Sequence, residues 1–226
     1  MFFPIGDDQV KGGHKPLFAY SLILVNVIIF FYEFSLGPEL SQIFVTEFGA
    51  IPFEILSGTD WHTLFTCMFL HGGWMHLIGN MLFLWVFADN IEAVIGNINF
   101  LIFYTVGGLA ASAVHVFFNP YSEIPMVGAS GAISAVMGAY LIMFPASRIK
   151  VLILIFFTVV YVPAIFFLGI WIVQQMVAGY GSLNAVSEES TGVAWWAHIG
   201  GFVFGVVAGF LARSQYRSKY KYHTED

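Results

Sequence analysis

The 226 residues are 58% hydrophobic and only 10% charged, with 25 phenylalanines and a mean hydropathy of +0.80. A water-soluble domain of this length has no means of hiding so much apolar surface, so the bilayer is the solvent and the chain reads as one all-α membrane domain. The net charge of −6 says little about partners, because the charges are segregated by loop. Neither a nucleic-acid partner nor a cofactor is expected, and the single cysteine, Cys67, leaves no intramolecular disulfide and no cysteine metal cluster.

Judged against about 20 residues for a roughly 30 Å hydrocarbon core, six stretches are candidates to span: 16–34, 74–94, 98–118, 130–144, 151–177 and 194–211. The apolar run after Lys15 is long enough to span and carries no clear cleavage site, so it reads as a first span rather than a leader. The connection 35–73 mixes Pro, Gly, Trp and Phe with isolated acids; it is too apolar for a solvated linker and is expected to lie folded at the membrane surface. Every Lys and Arg falls before span one (Lys11, Lys15), between spans four and five (Arg148, Lys150) or after span six (Arg213, Arg217, Lys219, Lys221). With six spans these segments share one side, so both termini are expected to be cytoplasmic: a tail at 1–15, a membrane domain at 16–212 and a basic tail at 213–226. Glu39, Glu47, Glu54, Asp60, Glu123, Glu188 and Glu189 then lie opposite. The short tails suit a bacterial plasma membrane.

Polar residues inside the spans need a reason. Ser130 opens span four within Gly128-Ala129-Ser130-Gly131, where glycines allow a tight turn and the free amides of a helix start can hold a developing negative charge. A nucleophile fits there, and so does an ordinary helix cap. At 1.5 Å per residue, Ser130 lies roughly 27 Å above Arg148 and His198 roughly 22 Å above Arg213, level within about a turn. A serine and a histidine from two helices therefore share one depth, toward the outer leaflet.

Small residues permit these helices to meet. Ala197, Gly201, Gly205 and Gly209 recur every fourth residue along span six, and Ser130, Ser134 and Gly138 do so along span four, beside Gly131, Ala135 and Ala139. Such faces allow close approach in lipid, and packing alone would explain them. His76 and Asn80 share a face of span two; they suit either helix-to-helix hydrogen bonds or an oxyanion site completed by the Ser130 amide. A metal held by His71, His76 and His198 is a further alternative, but it lacks a carboxylate and the His-Glu-x-x-His pattern.

Gly128-Ala129-Ser130-Gly131, the run from His71 through His76 to Asn80, and Ala197-His198 through Gly201 to Gly205 together resemble the rhomboid family of intramembrane serine proteases, over about residues 16 to 212. The resemblance implies a six-transmembrane-helix bundle with a Ser-His dyad and no acidic third member. Ser130 would be the nucleophile and His198 the base, with His76, Asn80 and the Ser130 amide stabilising the oxyanion. It further implies a surface-lying first loop, a mobile fifth helix, and substrates that are membrane proteins with a transmembrane helix. Glu92 through Gly96 and Tyr104 also resemble family positions that brace the loop and second span, a structural role.

Two positions depart from the family pattern. Trp61-His62 stands where many members have Trp-Arg, and Ser134 where some have a Tyr stacking under the histidine. His198 must then be held by something else, for which an aromatic of span five is a candidate. Pro163 falls within that span, where a proline either kinks the helix, as a lateral gate would need, or, more often, is simply tolerated. An inactive relative that binds transmembrane helices would lack the dyad. A small transporter lined by Ser130, His76, Asn80 and His198 would be expected to carry a charged residue buried mid-bundle or an internal repeat, and the sequence points to neither.

Overall fold

In the computed structural model, residues 2–8, 15–183 and 193–220 are described; Lys11, Glu188, Glu189 and Lys221, used above to orient the chain, lie outside them. Among the described residues, five helices are long and apolar enough to cross a membrane: α1 (Leu17–Ser35), α5 (Trp74–Ile95), α6 (Asn97–Phe118), α8 (Ala164–Ser182) and α9 (Trp195–Tyr220, apolar as far as Arg213). The 14-residue α7 (Ser130–Met143) is buried almost along its whole length and packs against α5, α6, α8 and α9.

Polar anchors fix the frame. Glu92 of α5 is fully buried, and its two carboxylate oxygens accept the amides of Phe18 at 2.9 Å and Ala19 at 2.8 Å, capping α1 from outside the helix. The resemblance gave this position a brace of the first loop and second span; the carboxylate ties the second span, α5, to the start of α1. Gly96, at φ +84°, joins α5 to α6 as a single-residue reversal, a conformation glycine adopts without strain. The connection after α1 folds as α2 (Gly37–Phe48), α3 (Pro52–Leu56), α4 (Thr63–Thr66) and a 3₁₀ turn at Cys67–Phe69.

The small-residue stripes are the contact between α7 and α9. A methyl on Gly201 would collide with the Gly131 carbonyl and one on Gly205 with the Ala135 carbonyl; one on Gly209 would lie 2.9 Å from the Ala139 Cα. The pairing advances by four residues on each helix in the same direction, so the two run parallel and in register. Gly205→Ala is expected to destabilise the protein by about 1–3 kcal/mol, the usual effect of overpacking. It would be read as a lowered thermal midpoint in detergent, against Gly169→Ala, where nothing lies within 4 Å of the added methyl.

The structure corrects the all-α expectation and the start of span five. Residues 148–163 form a hairpin, β2 (Arg148–Ile153) and β3 (Thr158–Pro163), and β1 (Phe2–Gly6) completes an antiparallel sheet in the order β1-β2-β3. A run of Val, Ile, Leu and Phe does not distinguish a strand from a buried helix by periodicity. Pro163 decides it: its ring disfavours helix for Val162, it sits in extended backbone at φ −54° and ψ 139°, and α8 starts only after it. Pro163 therefore begins the helix and does not kink it.

The sheet seats the N-terminal segment beside the end of α7. Asp7 is buried there, accepting hydrogen bonds from Asn90 Nδ2 at 2.7 Å and from the Tyr140 hydroxyl, while Asp8 pairs with Arg148 at 3.2 Å. Burial pushes the Asp7 carboxyl up to about 6. A raised carboxylate holds its proton more tightly in the folded state. Its stabilising contribution is thus complete below about pH 4 and is lost as pH rises through about 6. Between pH 4.5 and 7 the wild-type thermal midpoint should fall relative to that of Asp7→Asn, a divergence worth about 2–3 kcal/mol. Parallel pH profiles would show that Asp7 titrates as an ordinary carboxyl.

Candidate active site

The approach to Ser130 is held by the first loop. Ala50 and Met126 exchange backbone hydrogen bonds at 3.0 and 2.9 Å, and the Gly128 amide donates to the Cys67 carbonyl at 2.8 Å. Gly128 sits at φ +124°, turning the chain so that α7 starts at Ser130. The serine is thereby placed in the first helical turn, where backbone amides have no intrahelical acceptor.

Ser130 Oγ lies 2.8 Å from His198 Nε2, and Ser130 is only partly buried whereas His198 is 9% exposed. The expected meeting of the two side chains is what the structure has, and the parallel α7–α9 register explains it. Ser134 turns its hydroxyl back to the Ser130 carbonyl at 2.6 Å and does not support the imidazole. That support comes from α8 and α9. Trp171 lies 5.7 Å from the His198 ring, centroid to centroid, Trp195 lies edge-on at 6.2 Å, and Gln175 Oε1 is 2.8 Å from Nδ1. Trp171 is the fifth-span aromatic the sequence left unnamed. Gln175 was missed, although a glutamine within an apolar span was itself a signal.

His76 and Asn80 face the backbone just before Ser130: a methyl added to Gly128 would lie 2.7 Å from His76 Nε2 and 3.5 Å from Asn80 Nδ2. Glycine at 128 leaves that space open. Asn80 Nδ2 is buried with no hydrogen-bond partner among the described residues. His71 packs its ring 5.2 Å from that of His76. Burial, and after it the neighbouring His76, pulls His71 down to about 3, so it is neutral at ordinary pH. Both ring nitrogens of His198 are engaged, which leaves a site of His71, His76 and His198 short of one metal donor. No cluster of three or more His, Cys, Asp or Glu suited to a metal occurs among the described residues.

The Rhomboid domain family model matches residues 58–215, which contain every one of these side chains. The chain belongs to the rhomboid family. It is 34% identical over 127 residues to Rhomboid protease GluP of Bacillus subtilis, covering 56% of this chain and 24% of that protein. It is 30% identical over 176 residues to RHOMBOID-like protein 4 of Arabidopsis thaliana, covering 78% and 40% respectively. To Rhomboid protein 1, mitochondrial, of Saccharomyces cerevisiae it is 29% identical over 153 residues, covering 63% and 39%. The chain thus spans less than half the length of each of these relatives. As a rhomboid it is an integral, multi-pass membrane protein.

Proposed function

We propose that this rhomboid is a serine endopeptidase that cleaves within or beside transmembrane helices of membrane proteins, with Ser130 as nucleophile and His198 as general base. The observation carrying the proposal is the 2.8 Å contact between Ser130 Oγ and His198 Nε2 at a helix start. His198 takes the hydroxyl proton as Ser130 attacks the carbonyl; the tetrahedral oxyanion is held by the Ser130 amide, Asn80 and His76. The imidazolium then protonates the leaving amine, and water releases the acyl-enzyme. A helical peptide bond is shielded by its own hydrogen bonds, so the substrate segment must unwind locally, and helix-weakening residues favour cleavage. α8 is the least buried of the five long helices, which suits lateral entry beside it.

We read α7 as a sixth crossing, with both termini cytoplasmic in a bacterial plasma membrane. Three features support this. β1 pairs with β2, which places the N-terminal segment at the Arg148 end of the bundle. The parallel register brings the end of α9, with Arg213, to that same end. Basic residues gathered at one end are the pattern of a cytoplasmic face.

The test is a fluorophosphonate probe on the purified protein, with the adduct mapped by mass spectrometry. The adduct is expected on Ser130, in a protein that also cuts a single-span substrate in liposomes. Absence of both overturns the proposal in favour of an inactive binder of transmembrane helices.

A further inference from the structure

Gln175 is 6% exposed within an apolar helix, and both ends of its amide are engaged. Its Nε2 donates to the Trp171 carbonyl, one turn back on α8, at 3.2 Å. A carbonyl oxygen only accepts, so this bond settles which end of the amide is which. Oε1 therefore faces His198 Nδ1, at 2.8 Å. An amide oxygen also only accepts, so Nδ1 must carry the proton. The other nitrogen, Nε2, is then the unprotonated one, and it is the one 2.8 Å from Ser130 Oγ. A chain of donors and acceptors with a single direction thus runs from the Ser130 hydroxyl through the imidazole and Gln175 to the backbone of α8.

We propose that Gln175 is the positioning residue that sets the tautomer and ring orientation of His198, the task a carboxylate performs in a three-membered serine-protease site. This rests on the reading of Ser130 and His198 as the catalytic pair. An amide suits the location. An ionised carboxylate at this depth in the bundle would be costly to bury, while a neutral amide orients the ring without that cost. The titratable groups that act on His198 from the packed helices are His76 of α5 and His115 of α6; neither competes for Nδ1, which Gln175 already holds. The same helix carries Trp171 against the ring. Seating α8 against α9 and readying the base are therefore one event, and displacement of α8 would release the imidazole.

The experiment compares wild type, Gln175→Leu and Gln175→Glu as full-length protein in liposomes, using a fluorogenic single-span substrate. Gln175→Leu, similar in size but unable to accept a hydrogen bond, is expected to lose about 10–100-fold in kcat with KM within about twofold, since tautomer control acts on the chemical step. Gln175→Glu is expected to recover most of that loss. Beside a protonated His198 its charge is paired, which offsets the cost of burial and favours the imidazolium, so the acid limb of its kcat/KM profile should move to higher pH by about one unit or more. A folded Gln175→Leu with kcat within about threefold of wild type, or an acid limb in Gln175→Glu that coincides with wild type, overturns the proposal. If Gln175→Leu does not fold, the Gln175→Glu profile alone decides. Wild type that neither cleaves nor takes the probe at Ser130 would instead defeat the parent reading.

Discussion

Ser130→Ala and His198→Ala should each bring cleavage of a single-span substrate to background, a loss on the order of 10⁴–10⁶-fold in kcat. Without the Ser130 hydroxyl no acyl-enzyme forms. Without the imidazole the hydroxyl keeps its proton, and a neutral serine hydroxyl is a poor nucleophile. The two losses should not add, because the residues act as one unit. Stability separates this from misfolding. Ser130 contributes one side-chain hydrogen bond of ordinary length, so Ser130→Ala should cost about 1 kcal/mol and leave the thermal midpoint within a few degrees. His198→Ala also strands the buried Gln175 oxygen and is expected to destabilise more. Binding of an uncleaved substrate should survive both changes, since neither side chain is asked to hold the ground state. Undiminished cleavage by folded Ser130→Ala would end the serine-protease reading.

That pair was legible because several constraints converged on it. A polar side chain in lipid requires a partner, rise per residue placed Ser130 and His198 at one depth, and glycine every fourth residue on α9 allowed its backbone to touch α7. Each step used only local spacing along a helix, which sequence records well. Residues 151–163 read as the start of span five yet lie in a hairpin, for the opposite reason. In that run β-branched residues and hydropathy point to different solvents, and what turns it into a sheet edge is β1, nearly 150 residues away in the chain. Hydropathy alone puts Pro163 in the middle of a helix, whereas its ring geometry suits a helix start, which is where it stands. Gln175 was lost differently. Gln174 and Gln175 are adjacent, and only the rotation of α8 against α9 determines which of them meets His198. No pattern in one chain carries that rotation. Ser134, absent its stacking ring, did report that the support had to come from elsewhere.

Asn80→Leu and His76→Ala should each lower kcat by about 10–1000-fold with little change in KM, the effect of removing one oxyanion donor. Asn80 has a second expected result that packing alone does not produce. Its Nδ2 is buried without an acceptor among the described residues, and such a group costs about 1–3 kcal/mol. Leu of similar size removes the unsatisfied donor, so Asn80→Leu should be as stable as wild type or more stable while turning over slowly. A residue whose removal improves the fold and harms the reaction is one whose hydrogen bond is completed only when charge develops on the substrate. His76 is less fully buried and stands beside His71, so His76→Ala should cost activity without that gain. If both donors serve one oxyanion, the double variant should lose less than the product of the single losses. If kcat stays within about twofold in both single variants, His76 and Asn80 return to the role of contacts between helices, and the Ser130 amide is left to hold the oxyanion without them.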